Sequence, residues 1–155
     1  MFVSRHLCWV SAVALAACGC TDDGVPPEDE VPECISYSLD GCSLLYPPSY
    51  DQVWNQTLAN TCGSTGTSCH AQDDAAGAVN GMTFIDPLVT WDHLTTGDED
   101  GPLVVAGDPE CSRLFVRLAT DNPAIRMPPG EAPLPPNTLC SIGTWISDGA
   151  SFTQP

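Results

Sequence analysis

The chain has no lysine and only four arginines, against twenty aspartates and glutamates in 155 residues. Its formal net charge at pH 7 is therefore -16. Binding to nucleic acid depends on a basic surface that neutralises phosphates, so this charge argues against a nucleic-acid partner. The same charge repels an anionic membrane surface and steers the protein toward a basic protein partner. An acidic surface that serves only solubility is the simpler alternative.

The sequence also lacks an apolar run of the roughly 18 to 20 residues that a membrane-spanning helix needs. Its N-terminus instead carries one cation, Arg5, and a short apolar stretch that ends in Leu15-Ala16-Ala17-Cys18. This ending resembles a bacterial lipobox, so we expect residues 1–17 to be a signal peptide and Cys18 to carry a diacylglycerol anchor. Ordinary secretory cleavage near the same point is the alternative. The pattern predicts export to the bacterial cell envelope, as a periplasmic or outer-surface lipoprotein.

A third absence is that of a nucleophile with a matching base. Ser141 and Ser147 have no histidine assigned to them, and a hydrolase would need such a partner. We therefore expect a protein without enzymatic activity.

Cysteine, in contrast, is abundant, with nine in the chain. Outside the cytoplasm thiols are expected to pair. Cys34 and Cys42 lie close together in sequence, and Cys111 and Cys140 fall on or beside the inner stripes of two predicted helices. We therefore expect the disulfides Cys34–Cys42 and Cys111–Cys140. Cys8 lies in the signal peptide, Cys18 carries the lipid, and Cys62 and Cys69 belong to a motif described below. Cys20 remains, either free or paired with another molecule.

Composition divides the exported chain into a spacer and one small domain. Residues 18–48 are rich in Asp, Glu and Pro, which favours an extended acidic spacer, although Tyr37, Leu44, Leu45 and Tyr46 would allow its end to dock on the domain. Residues 49–150 carry enough apolar side chains for one core. Residues 151–155 form a short tail.

Helical signals lie at both ends of the 49–150 domain, which predicts a mostly α fold with an irregular middle. We expect one helix from Ser49 to Cys62, a second that begins with Asp108 as its cap, and a third after Pro135-Pro136. Residues 71–107 are rich in Gly and Asp, with a helical turn expected only at residues 91–94.

The main chemical motif is Cys62-Gly-Ser-Thr-Gly-Thr-Ser-Cys69-His70, followed later by Met127 between an arginine and two prolines. Two thiols, an imidazole and a thioether are the groups that attach and ligate a c-type haem. The usual motif has two residues between the cysteines, whereas this chain has six. A disulfide between Cys62 and Cys69 is therefore the alternative, with His70 as a surface or hydrogen-bonding imidazole and Met127 as a packing residue. His93 is an alternative ligand, but we interpret this lone imidazole as structural.

The order of these pieces resembles the cytochrome c fold, and in particular the small cytochrome c-like lipoprotein domains of myxobacteria and planctomycetes. The resemblance covers most of residues 49–150. The matching pieces are Ser49-Tyr50-Asp51, residues 62–70, Gly107-Asp108-Pro109-Glu110 with Ser112 and Leu114, Arg126-Met127-Pro128-Pro129-Gly130, and Trp145-Ile146-Ser147-Asp148-Gly149-Ala150.

The resemblance implies that Cys62 and Cys69 attach haem c through thioethers, with His70 as proximal and Met127 as distal iron ligand. A His/Met pair leaves no open coordination position, so the centre would transfer single electrons and catalyse nothing by itself. The implied partner is a redox protein, with a basic one favoured by the acidic charge. The haem-free alternative is a disulfide-stapled binding or scaffold module at the cell surface.

Overall fold

The computed structural model describes residues 31–63, 69–75 and 77–154. The predicted signal peptide, Cys18 and Cys20 lie outside these residues. In the described part the regular structure is helical, and the only β pairing is two isolated bridges. The prediction of a mostly α, small, disulfide-supported single domain is thus confirmed. The helices are α1 (Tyr50–Val53), which continues as a π-helix (Trp54–Cys62), a 3-10 turn (Val79–Gly81), α2 (Pro87–Thr96), α3 (Arg113–Ala119) and α4 (Pro136–Ser147).

The first predicted helix forms one continuous run from Tyr50 to Cys62. Ser49 occupies its N-cap position, but the hydroxyl of Ser49 makes no capping bond to the helix. The later turns are wider than an α-helix, as the hydrogen bond from the N–H of Gly63 to the carbonyl of Leu58 (2.8 Å) shows. This run ends at Cys62, so the helix fixes the position of the first thiol of the motif.

The middle of the domain holds a longer helix than the sequence predicted. Asp86 accepts hydrogen bonds from the N–H groups of Leu88 and Val89, both at 2.9 Å, and Pro87 follows as the first helical residue. This capped start extends α2 over Pro87–Thr96 instead of a single turn.

The predicted start of α3 at Asp108 is wrong. The carboxylate of Asp108 accepts a hydrogen bond from the N–H of Cys111 (3.1 Å), and the chain makes a turn there before α3 begins at Arg113. The buried hydroxyl of Ser112 fastens this turn by donating to the carbonyl of Asp108 at 2.7 Å.

The final helix, α4, begins after Pro135 as predicted and provides much of the core. A Cβ on Gly143 would lie 2.8 Å from Leu39 and 3.0 Å from the ring of Phe115. Because no side chain fits there, α3 and residue 39 approach α4 closely. The C-terminal tail also packs against the core, since the ring centroids of Phe152 and the buried Tyr50 lie 5.5 Å apart.

The predicted disulfide partners are wrong, although the four cysteines are all paired. The bonds are Cys34–Cys111 and Cys42–Cys140, which join residues 77 and 98 positions apart. Each bond links the acidic N-terminal segment to the helical domain, so residues 34–42 form a strap across the domain and not a closed loop of their own.

Two tyrosines of the N-terminal segment contact the helical domain in addition to the two disulfides. Tyr37 packs edge-on against Phe115 with ring centroids 5.1 Å apart. The hydroxyl of the buried Tyr46 lies 2.7 Å from that of Thr57. Tyr37 and Tyr46 therefore dock as expected, whereas Leu44 and Leu45 stay about half exposed, at 45% and 56%. The described part of the predicted spacer is fixed to the domain.

Candidate functional site

Three of the four predicted site residues line one cavity of about 630 Å³. Cys62 arrives at the end of the π-helix, and the N–H of His70 donates to the carbonyl of Cys62 at 3.1 Å. Met127 comes from the loop after α3, where its N–H donates to the carbonyl of Arg117 at 2.9 Å. The fold therefore brings Met127 to the same cavity as His70 and Cys62, which lie 57 and 65 positions before it in the sequence.

The cavity has a size typical of cofactor pockets, which span roughly 300 to 1,000 Å³. Its walls are largely apolar, and a smaller set of polar side chains interrupts them. The apolar walls include Met82, Phe84, Leu94, Leu103, Leu114 and Leu118. Such a lining suits a largely apolar ligand and strengthens electrostatic interactions inside it.

The imidazole of His70 is oriented by a backbone carbonyl. Its Nδ1 lies 2.8 Å from the carbonyl oxygen of Met82. Since a carbonyl oxygen can only accept, Nδ1 carries the proton, and the neutral ring then has its lone pair on Nε2. The ring of Phe84 packs against the imidazole with centroids 4.7 Å apart. Nε2 is therefore the ring nitrogen that is left to accept a hydrogen bond or another ligand.

Gly77 lets the chain return close to the motif. The N–H of Gly77 donates to the carbonyl of Cys69 at 2.9 Å. A Cβ at this position would lie 2.6 Å from that carbonyl oxygen and 3.1 Å from Cε1 of His70. The absent side chain thus leaves room for both the backbone of Cys69 and the imidazole of His70.

The two cysteines of the motif are both free thiols. Cys62 is only 8% exposed, and Cys69 is partly buried. Burial, and secondly the neighbouring Cys69, raises the pKa of the Cys62 thiol to about 12. Cys62 is consequently protonated at neutral pH. Residues 64–68 between them lie outside the described part.

Met127 is half-buried and packs against the core. Its thioether is a weak, polarisable donor that suits either an irregular apolar gap or a soft metal ligand. Both roles that the sequence left open for Met127 therefore agree with its place in the cavity wall.

Sequence reasoning missed two groups that build this site. No local pattern in the sequence shows that the carbonyl of Met82 binds His70. Gly77 lies in a stretch rich in small residues, which gave no reason to select it. The polar part of the lining, with His93 and Arg117, was also not predicted.

In residues 31–63, 69–75 and 77–154, no group of three or more His, Cys, Asp or Glu side chains is arranged to hold a metal ion. Over the same ranges, none of the helices is both long and apolar enough to span a bilayer.

Comparison with protein families adds a match over residues 67–131, to the family described as planctomycete cytochrome C. Residues 67–131 are therefore similar to this family, which supports a cytochrome c-like domain of the planctomycete type. The match covers less than half of the chain and includes Cys69, His70 and Met127, whereas Cys62 precedes it. No curated protein and no solved structure matches the chain significantly.

The family is typical of electron carriers and not of classical enzymes. Together with the two disulfides, it indicates an extracytoplasmic protein, because disulfides persist in oxidising compartments.

Proposed function

We propose that this protein is an exported, lipid-anchored c-type cytochrome-like protein that binds haem and transfers single electrons. The observation that carries the proposal is the orientation of His70, whose Nδ1 bonds to the carbonyl of Met82 at 2.8 Å and so leaves Nε2 for a ligand in the cavity.

The residues present fit a haem group in three respects. His70 offers an oriented nitrogen, Met127 offers a thioether on the wall of the same cavity, and the cavity of about 630 Å³ is largely apolar. Haem, when bound, supplies a one-electron Fe(II)/Fe(III) couple. His70 and Met127 would be the two protein ligands of its iron, and such a His/Met pair would raise the reduction potential and leave no position for a substrate.

Cys62 and Cys69 are the proposed attachment points. A thioether forms when a thiol S–H adds across a vinyl group of the porphyrin, with sulfur bonding one carbon and hydrogen the other. Cys62 supports this role because it is a reduced thiol in the wall of the cavity. The six-residue spacing means that the attachment enzymes would have to accept a wider loop than usual.

The proposal also includes a lipid anchor on Cys18 and a redox protein as the partner. Cys18 would hold the protein at the membrane through its lipid, which leaves the helical domain in water. The excess of acidic residues would steer a basic redox protein toward it. A Cys18→Ser variant that still partitions with membranes would contradict the anchor.

The haem proposal is tested by expressing the full chain with a cytochrome c maturation system. We expect a low-spin visible spectrum and a haem-staining band after denaturing electrophoresis. His70→Ala should abolish the low-spin spectrum, whereas Met127→Ala should keep the haem attached but free one axial position. Met82→Leu is the matched control, because it removes a thioether from the cavity wall but keeps the backbone carbonyl that orients His70. If both ligand variants keep the native spectrum, the ligand assignment is wrong.

A haem-free module stapled by a Cys62–Cys69 disulfide is the second candidate. The observation in its favour is that both cysteines are free and that the N–H of His70, the residue after Cys69, donates to the carbonyl of Cys62 at 3.1 Å, which brings the two ends of the motif together. A bond between them would close an eight-residue ring and stabilise the fold by about 2 to 3 kcal/mol. Colourless protein with this bond, purified from its native host, would favour a binding or scaffold role.

A further inference from the structure

Three large apolar side chains lie exposed at the start of α2. Ile85, Leu88 and Val89 are 59%, 55% and 63% exposed. Six large apolar side chains are exposed among the described residues, and half of them fall in this stretch of five residues. Single exposed apolar residues are ordinary, whereas a cluster of them is typical of a surface that another molecule covers. We name these three residues the α2 patch.

The geometry of α2 turns this patch outward. Successive residues of an α-helix are about 100° apart, so Leu88, Val89 and Asp92 lie within one arc of roughly 100°. All three side chains are exposed. Thr90 and Leu94 lie on the opposite side of the helix and are buried. One face of α2 thus packs on the core, and the other presents two apolar side chains and a carboxylate to solvent.

The charged side chains next to the patch in sequence are negative. Asp86 follows Ile85 as the N-cap of α2, and it is exposed like Asp92. The chain has no lysine or arginine in residues 6–112, so this part of the sequence supplies no cation. Arg113, the next arginine, is paired with an aspartate at 2.7 Å. An apolar surface edged by carboxylates is complementary to an apolar surface edged by cations.

The patch also lies next to the candidate site. Ile85 directly follows Phe84, whose ring lines the cavity and has its centroid 4.7 Å from that of the His70 imidazole. The N–H of Phe84 donates to the carbonyl of His70 at 2.9 Å. On α2 itself, Leu94 lines the cavity. A protein that covers the patch would therefore lie beside the residues proposed to hold the haem.

We propose that the α2 patch is the docking surface for a basic protein, one whose own apolar patch is flanked by lysines or arginines. The identity of this partner as a redox protein rests on the proposed function, whereas the surface itself is argued from exposure and charge. Apolar contact would supply affinity, and the carboxylates would direct the encounter. A second copy of this chain would bring together two molecules of net charge -16, and an anionic bilayer would be repelled in the same way.

The test uses three helical peptides. The first presents a leucine stripe flanked by lysines, the second has glutamates in place of the lysines, and the third has glutamines in place of the leucines. Each peptide is titrated into the full exported chain labelled with nitrogen-15, and the amide shifts are followed by NMR. We expect the first peptide to bind at least about tenfold more tightly than the other two. The largest shifts should fall in residues 85–92.

Leu88→Gln with Val89→Thr tests the apolar part of the surface. The two substitutions remove apolar area, while Asp86 still caps the helix. Affinity for the first peptide should fall by about tenfold. Leu44→Gln with Leu45→Gln is the matched control, because these side chains are similarly exposed, at 45% and 56%, but lie outside α2. The control should bind as the native chain does, and circular dichroism of both variants checks that the fold is kept.

Asp92→Asn tests the charged part of the surface. In low salt it should weaken the first peptide by about threefold. The difference should shrink at physiological ionic strength, because salt screens exposed charges. Asp148→Asn is the matched control, since this carboxylate is also exposed but lies at the end of α4. It should leave the affinity unchanged.

Several results would overturn the docking surface. No binding of the first peptide removes it, and equal binding of the first two peptides removes the basic partner. Equal binding of the first and third peptides removes the apolar patch and leaves charge alone. A native dimer that Leu88→Gln with Val89→Thr dissociates in sedimentation would assign the patch to a second copy of the chain.

A bilayer and the haem proposal are tested separately from the docking surface. Binding of Cys18→Ser protein to phosphatidylcholine vesicles, lost in Leu88→Gln with Val89→Thr, would assign the patch to a membrane and overturn the proposal. The peptide titration needs no haem. Absence of a haem-staining band therefore contradicts the haem proposal alone, and a chain that binds haem but none of the peptides contradicts the docking surface alone.

Discussion

Replacing Cys42 and Cys140 with alanine tests the strap that joins the N-terminal segment to α4. While Cys34–Cys111 remains, the Cys42–Cys140 bond closes a ring of roughly 40 residues that runs through the remaining bond. In the chain-entropy model, opening such a ring lowers the free energy of unfolding by about 4 kcal/mol. Cys140 is 1% exposed, so loss of its sulfur also removes packing contacts, which lowers the free energy of unfolding further.

Guanidinium unfolding followed by circular dichroism measures this loss. With a slope of about 3 kcal/mol per M, the midpoint should fall by roughly 1.3 M. Cys34→Ala with Cys111→Ala opens the same ring and is the matched comparison, with a similar loss expected. A fall of less than about 1 kcal/mol in either variant would refute the argument from ring size.

Peptide mapping of the same protein tests the pairing itself. The Cys42→Ala, Cys140→Ala variant should retain one disulfide, Cys34–Cys111. If bonds joined neighbours in sequence, both Cys34 and Cys111 would be unpaired in this variant. Free thiols at those two positions would therefore contradict the structure.

The other predictions concern close packing and one thiol. Gly77→Ala places a Cβ 2.6 Å from the carbonyl oxygen of Cys69, so thermal unfolding should show a loss of about 1 to 3 kcal/mol, and unchanged stability would contradict the contact. Gly143→Ala meets the flexible end of Leu39 at 2.8 Å, so a loss near the lower limit, about 1 kcal/mol, is expected in urea, and a stabilised variant would contradict the close approach. The pKa of Cys62, about 12 in the folded chain against 9.0 for an exposed thiol, means that the unfolded state loses its proton first. The stability of reduced, haem-free protein should therefore fall by up to about 1.4 kcal/mol per pH unit above pH ~9. Cys62→Ala should reduce this slope, and identical pH profiles for the two proteins would contradict it.

The helices could be predicted where local signals decide them. Pro135-Pro136 and the apolar stripe that follows gave the start of α4, because proline fits the first turn and the stripe needs a core. The prediction of where α3 starts was wrong for a local reason as well. Asp108 is a good capping residue, but its carboxylate binds the N–H of Cys111 in a turn and not in a helix.

The disulfide pairing could not be predicted, because it depends on the path of the whole chain. Cys34 and Cys42 are neighbours in sequence, but an extended strap carries them to different parts of the domain. The N–H of Ile35 donates to the carbonyl of Glu110 at 2.9 Å, which brings Cys34 beside Cys111. Such a contact follows from tertiary packing and leaves no mark in local sequence.

The sequence selected candidate site residues by their chemistry, but it did not show how the fold arranges them. An imidazole after two cysteines, and a distant methionine, were sufficient to select His70 and Met127. The carbonyl of Met82 that orients His70 could not be selected, since every residue has a carbonyl and only the fold chooses one.

The most direct test of the central claim is the intact mass of the protein purified from its native host. We predict that the polypeptide carries the additional mass of one haem after denaturation, with neither Cys62 nor Cys69 available to a thiol reagent. A chain without haem, lighter by two hydrogens because Cys62 and Cys69 are bonded to each other, would contradict the electron-transfer function.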